Sequence, residues 1–205
     1  MLKKQWIQIL VINFIIAIFI LSPFLPGPSS LSSITNTIHT LTQFSGIFLL
    51  IAIPIGVIAT IRERVRKQKI SLFLLLSWVI PTTLFLVSIY AANPARNFSR
   101  KIAIRNATPI IHAIESYYQV HKKYPDHLSD LKPVFLKQLP STGVMGITTY
   151  QYEKRGSSFS VLFTQNVLAG FNKEIVSYDP GYQYFLDDSI NQVYSASKHK
   201  WKYYI

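Results

Sequence analysis

Three stretches of this chain carry no charge and more apolar surface than water tolerates. The first runs roughly over 5–22, with Gln8 and Asn13 as its polar interruptions. The second, Phe44 to Ile61, has eighteen residues, and the third, Ile70 to Ala92, has twenty-three. A helix needs about 20 apolar residues to cross a hydrocarbon core ~30 Å thick. Backbone groups in lipid must be bonded within their own segment, so the runs are expected to be helices. Core helices of a water-soluble protein fit poorly with three such runs in the first 92 residues. Pro54 and Pro81 fall inside the second and third runs and are expected to kink them. Thr82, Thr83 and Ser88 stand ready to cover freed carbonyls.

The first run also has the outline of a signal peptide, because Lys3 and Lys4 precede it. It ends in "SPFLPGPSS", without an A-x-A-like site, and a chain without cysteine has no lipobox. A retained helix is expected, with Trp6 as an interfacial anchor.

Charge divides the chain into two unlike halves. Only 15% of residues are charged, against about 25% in soluble globular proteins. Residues 1–92 hold seven basic residues and one acid, Glu63, whereas residues 93–205 hold fourteen basic and eight acidic residues. The expected domains are therefore a three-helix transmembrane domain, 1–92, and an extracytoplasmic α+β domain, 93–205. The low charge and high apolar content argue against a disordered chain, a nucleic-acid-binding tail and a simple soluble enzyme. The absence of cysteine excludes disulfides, thiolate metal sites and a cysteine nucleophile.

Lysine and arginine bias sets the orientation. Lys3 and Lys4 flank the first run, and "RERVRKQK" at 62–69 joins the second to the third. The segment 23–43 has no charged residue. The N-terminus and the 62–69 loop are thus expected in the cytoplasm, and residues 93–205 outside it. Arg96, Arg100, Lys101 and Arg105 then sit on the side the rule disfavours. The 62–69 loop reads as a topology determinant, with attraction to anionic headgroups as its alternative. No Asp, Glu, Lys, Arg or His lies inside a run, which argues against a pump or transporter acting alone.

Beyond Asn93-Pro94, expected to cap and open a new helix, the pattern turns amphipathic. Ile104, Ala107, Ile111, Ile114 and Tyr118 recur at helical spacing, broadened by Ile110, Ala113 and Tyr117. Arg96, Arg100, Lys101 and Arg105 fall mostly off this stripe. Tyr124-Pro125 ends the helix, and Asp126 is placed to cap a short one containing Leu128 and Leu131. Phe135, Leu136 and Leu139 are spaced to pack back on the long helix. "TTYQYEKRGSSFSVLF" reads as a hairpin, and 174–178 as a further strand. Tyr182, Tyr184 and Leu186 alternate next, and Trp201, Tyr203 and Ile205 repeat that period at the end. Eleven of the twelve tyrosines lie beyond residue 92, as suits a small antiparallel sheet with wet edges.

This order of parts resembles the type IV pilin-like fold, and most of all the globular domain of the major pseudopilins of type II secretion. The resemblance rests on Ala113, Ile114, Tyr117, Tyr118, Tyr124 and Pro125, then Leu128, Leu131, Pro133, Phe135, Leu136, Leu139 and Pro140. It covers roughly 100–164 well and the sheet loosely. It implies a long helix packed on a small antiparallel sheet. That family carries a processing site, with Gly before the cut and Glu fifth in the mature chain. "RVRKQKISLFLLL" has neither, and this departure from the family leads to the expectation of a domain held permanently in the membrane. It also implies candidate calcium ligands in the sheet loops, here Asp179, Asp187 and Asp188, although surface turns use Asp routinely.

A catalytic site is hard to draw. His112 and Glu115 lie three apart on the long helix, and His121, Asp126, His127 and Asp130 cluster at its exit. A solvated helix edge and a capped turn explain them, since no H-E-x-x-H, G-x-S-x-G, G-x-G-x-x-G or P-loop occurs. No catalytic, metal or cofactor residue is assigned. The expected role is structural or interaction-based, in the cell envelope. Its partners would be the lipid bilayer and other envelope or secretion-system membrane proteins, with no nucleic acid. Two alternatives remain. One is a membrane-bound enzyme using His112, Glu115, His121 or His127, whose side chains would converge. The other is a cytoplasmic basic tail binding nucleic acid or anionic lipid through Arg96 to Arg105.

Overall fold

The structure, a computed structural model, describes residues 2–66, 69–168, 171–181 and 192–205. Helix α1 spans Leu2–Leu21 and runs into a 3-10 turn at Ser22–Phe24. Helices α2, Ser32–Leu49, and α3, Ala52–Val65, follow. Helix α4, Leu72–Leu86, passes through a π turn at Val87–Ala91 into α5, Ala92–His121. The sheet has strands β1 Gln151–Arg155, β2 Ser158–Leu168, β3 Asn172–Tyr178, β4 Tyr194–Ser195 and β5 Trp201–Tyr204. Their spatial order is β1-β2-β3-β5-β4, every pair antiparallel. The chain is thus α+β, with a long helix ahead of an antiparallel sheet.

Among the described residues two helices, not the expected three, are long and apolar enough to cross a membrane: Lys3–Phe24 and the uninterrupted Leu72–His121. The middle run, Phe44 to Ile61, is divided between α2 and α3 at Leu50 and Ile51. Pro54 supplies the reason. It has no N–H to offer the Leu50 carbonyl, and its ring crowds that carbonyl. The Leu50 carbonyl instead accepts from Ile53 N–H at 3.2 Å. Pro81, by contrast, lies inside α4 without ending it, and the Thr82 hydroxyl donates to the Trp78 carbonyl at 2.7 Å.

Asn93-Pro94 does not begin a helix; it lies within the continuous one. The π turn Val87–Ala91 contains Tyr90, whose carbonyl Pro94 cannot serve because it has no N–H, so the regular ladder is disturbed there. The uncharged segment 23–43 is also not merely a loop, since α2 begins at Ser32. At the far end of α5, Lys122 closes the helix in the left-handed region with φ 57°. His127, not Asp126, occupies the N-cap of the 3-10 turn Leu128–Leu131. Asp130 Oδ2 accepts from the Asp126 and His127 N–H groups at 3.0 and 2.9 Å.

The expected hairpin forms, with Gln151 opposite Leu162 and Arg155 opposite Ser158 around Gly156 at φ 54°. Phe159, Val161 and Phe163 of β2, Val176 of β3 and Trp201 of β5 are buried in one core with Ala103, Ala107, Ile110 and Ile114 of α5. Burying each large side chain contributes roughly 1.5–3 kcal/mol. Tyr124, Leu128, Phe135 and Leu136 pack against this core. The terminal strand departs from strict alternation: Trp201 and Tyr204 are the buried pair, while Tyr203 is partly exposed. The expected strand at Tyr182, Tyr184 and Leu186 lies outside the described residues.

The two halves are tied together away from α5. Pro26 and Val144 form an antiparallel bridge. Gly27 N–H donates to the Gly143 carbonyl at 3.0 Å, Met145 N–H to Leu25 at 3.0 Å, and Gly146 N–H to Pro23 at 2.8 Å. From α2, the Asn36 amide donates to the Gly146 carbonyl at 2.9 Å and the Thr35 hydroxyl to Met145 at 3.2 Å. A Cβ at Gly146 would run into Pro23, so only glycine allows this approach.

Candidate functional site

The most concentrated chemistry lies where α5 first meets the sheet. The helix-facing side of β2 reads Phe159, Val161, Phe163 and then Gln165. On β3 the same side reads Tyr178, Val176 and then Glu174. Gln165 and Glu174 are cross-strand partners, so the apolar face ends in a polar pair. α5 presents Arg96, Ser99 and Arg100 to that pair, all three buried.

The Glu174 side chain is wholly buried. Its Oε1 lies 2.8 Å from Arg100 Nε and accepts from Gln165 Nε2 at 2.8 Å. Its Oε2 lies 3.2 Å from Arg96 Nε and accepts from Arg100 Nη2 at 3.2 Å. The Ser99 hydroxyl donates to Gln165 Oε1. Arg96 Nη2 reaches Asn93 Oδ1 at 3.1 Å, and Arg100 Nη2 donates to Asn97 Oδ1. The Arg100 guanidinium also sits 3.5 Å above the Tyr203 ring, a cation–π contact. Burial pushes the Glu174 carboxyl above the usual carboxylate range, opposed by Arg100, the Gln165 hydrogen bond and Arg96. Burial likewise lowers Arg96, opposed by Glu174.

A buried ion pair gains Coulomb energy and loses hydration in similar amounts, so it adds little net stability. What this cluster does is fix α5 on the sheet in one register. Most of its polar atoms pair within the cluster, while Arg96 Nε and Arg100 Nε lie at ion-pair distance from Glu174 without a hydrogen bond of their own, an arrangement that suits joining helix to sheet. The charge pattern placed Arg96 and Arg100 off the buried stripe, and the structure corrects this. The signal was present: Arg96, Ser99, Ala103, Ala107, Ile110 and Ile114 continue one helical stripe, with its first turns polar.

The other singled-out residues are not brought together. His112 Nδ1 lies 4.0 Å from Glu115 Oε2, with side chains 72% and 46% exposed. His121 stacks on Tyr117 with ring centroids 4.1 Å apart, and its Nδ1 meets the Tyr117 carbonyl at 3.1 Å. Asp126 pairs with Lys154 at 2.7 Å, which holds its carboxyl below the usual range. Asp130 caps the 3-10 turn beside His127. Among the described residues no group of three or more His, Cys, Asp or Glu is placed to hold a metal ion. Asp179 is buried, with Arg155 3.6 Å from Oδ2 and Gly181 N–H donating to Oδ1 at 2.8 Å. Asp187 and Asp188 lie outside the described residues.

The described residues also form concave surfaces. A groove of about 260 Å³ runs between Ile110, Leu139, Pro140, Thr142 and Tyr150. A crevice of about 450 Å³ lies at the opposite end, between α1, α3 and the approach to α4. Comparison with protein-family models, with curated proteins and with solved structures finds no match.

Proposed function

We propose that this is a non-enzymatic membrane protein that holds a pilin-like α+β domain outside the cytoplasm, where it docks with other envelope proteins. The observation that carries this reading is the single helix Leu72–His121. Its first part is apolar and open to its surroundings, and its second part packs on the sheet. The most apolar windows of the two long helices are only 28% and 17% buried. A core helix of a water-soluble protein would be mostly covered. Leu10, Phe14, Ile55 and Phe73 are among the large apolar side chains exposed on α1, α3 and α4. Such a band calls for lipid.

In this reading α2 and α3 together complete a third crossing, broken at Pro54. The break is tolerable where neighbouring helices cover it. Gln5 Nε2 donates to the Ile70 carbonyl at 3.3 Å, which gathers Lys3 and Lys4 with Arg62, Arg64, Arg66 and Lys69 at one end. The Pro26–Val144 bridge gathers the uncharged segment and the sheet domain at the other. That separation supports a cytoplasmic N-terminus.

The long helix on an antiparallel sheet supports the pilin-like reading, and the missing processing motif favours permanent anchorage over assembly into a filament. The nucleic-acid alternative loses two of its basic residues, because Arg96 and Arg100 are occupied by Glu174. A photoreactive side chain at Val120 or Val134, both well exposed on the sheet domain, tests docking in native membranes. The reading expects a discrete adduct with another membrane protein; recovery of uncrosslinked monomer alone, at both positions, counts against it.

A further inference from the structure

The crevice between α1, α3 and the approach to α4 has a definite chemistry. Ile61, Val65 and Ile70 line it together with Trp6, Thr60 and Arg64, and Arg64 is exposed to its surroundings. Thr60 is already used: its hydroxyl donates to the Gly56 carbonyl at 2.7 Å and accepts from Trp78 Nε1 at 3.2 Å. Arg64 and the Trp6 indole have no hydrogen bond or ion pair among the described residues. Arg62, Arg66, Lys69, Lys3 and Lys4 are exposed around this end of the bundle. Glu63, the sole acid of residues 1–92, does not line the crevice. A largely apolar slot with an uncommitted, exposed guanidinium in its lining matches a molecule with a hydrocarbon tail and an anionic head.

We propose that this crevice binds one anionic phospholipid of the cytoplasmic leaflet, with an acyl chain along Ile61, Val65 and Ile70 and the phosphate at Arg64. The volume of about 450 Å³ falls within the ~300–1,000 Å³ of ordinary small-molecule sites. Guanidinium and phosphate match in geometry and charge, and their hydrogen bonds are the strong, charge-assisted kind. Trp6 sits where an indole favours the headgroup level. The surrounding basic residues raise the local concentration of anionic lipid. Arg64 and the slot convert that general attraction into one retained molecule. The proposal rests on the membrane reading above.

Native mass spectrometry of the full chain, extracted from liposomes of phosphatidylglycerol and phosphatidylethanolamine, provides the test. The wild type is expected to retain one phosphatidylglycerol. R64Q should weaken retention about tenfold, the loss of one good charged contact. R62Q, which alters an exposed arginine outside the crevice, should retain it. Millimolar glycerol phosphate should not displace the lipid, because the slot holds the chain. Equal loss in R64Q and R62Q would reduce the effect to diffuse charge, and equal retention of the zwitterionic lipid would remove the headgroup's role; either overturns the proposal. Displacement by glycerol phosphate would mean a soluble phosphate site instead. Flotation with the liposomes separates the two levels: a chain that fails to float defeats the membrane reading itself, whereas one that floats without a bound lipid defeats only this inference.

Discussion

Gln165 and Glu174 face each other across β2 and β3, and the Gln165 amide donates to the buried Glu174 carboxylate at 2.8 Å. This pair prolongs the apolar face of the sheet with polar groups just where α5 carries Arg96, Ser99 and Arg100. The helix that leaves the apolar bundle is therefore locked to the sheet by charge, and only further along by Ala107, Ile110 and Ile114.

Removing one partner of that lock is far more damaging than removing all. Glu174→Ala leaves two buried guanidiniums facing an empty site and should cost about 3–5 kcal/mol. Joint replacement by Arg96→Met, Arg100→Met and Glu174→Leu should recover most of the loss, because no charge is left stranded. Denaturant unfolding of the full chain in detergent, followed by circular dichroism, measures both. Equal destabilisation by the single and triple variants would contradict this account.

Alkaline pH should loosen the sheet domain through two tyrosines. Tyr150 donates to the Ala103 carbonyl and Tyr152 to the Pro125 carbonyl, each at 2.7 Å. Burial raises both phenols above their ordinary value of about 10. The folded chain keeps protons that the unfolded chain releases, so this stabilisation is complete below about pH 10 and is lost as pH rises toward the folded values. Tyr150→Phe should cost about 1 kcal/mol at neutral pH and flatten the alkaline loss. Melting temperatures across pH 8 to 11 check the slope; a variant as steep as the wild type would contradict it.

The contact between segment 22–36 and residues 142–147 depends on Gly146. Gly146→Val places methyl groups against Pro23 and should release the segment, at about 1–3 kcal/mol. Limited proteolysis reads this directly, with cleavage between Pro23 and Asn36 faster in the variant. Unchanged cleavage would show that the contact does not hold the segment.

Gly56 lets α3 approach α4, because a Cβ there would come within 2.8 Å of Ser77 Oγ and Trp78 Cβ. Gly56→Leu should push the helices apart and break the Trp78–Thr60 hydrogen bond of 3.2 Å. A red shift in Trp78 fluorescence, with Trp6 and Trp201 replaced, is the expected sign. An unshifted spectrum would contradict the close packing.

Much of this fold was legible wherever one local pattern decides the outcome. The hairpin around Gly156 and the α5 stripe through Ile114 each follow from short-range alternation or periodicity. The rest depends on partners distant in the chain. Arg100 and Glu174 are 74 residues apart, and nothing local to either marks it as paired. The Pro23–Gly146 contact is made by backbone groups, which leave no side-chain signature. The break before Pro54 turns on a choice between a kink and a rupture, which packing decides. His112 and Glu115 show the converse: suggestive spacing on a helix edge that remains in solvent.

In the proposed topology, Val120 and the helix end at Arg66 lie on opposite sides of a membrane. The chain has no cysteine, so single cysteines report position without background. Arg66→Cys and Val120→Cys place thiols at exposed sites that the proposed topology puts on opposite sides. In intact spheroplasts of a bacterial host, a membrane-impermeant maleimide should label Val120→Cys at once and Arg66→Cys only after lysis. Labelling of Arg66→Cys alone would reverse the orientation, and recovery of both variants in the soluble fraction would contradict the membrane reading altogether.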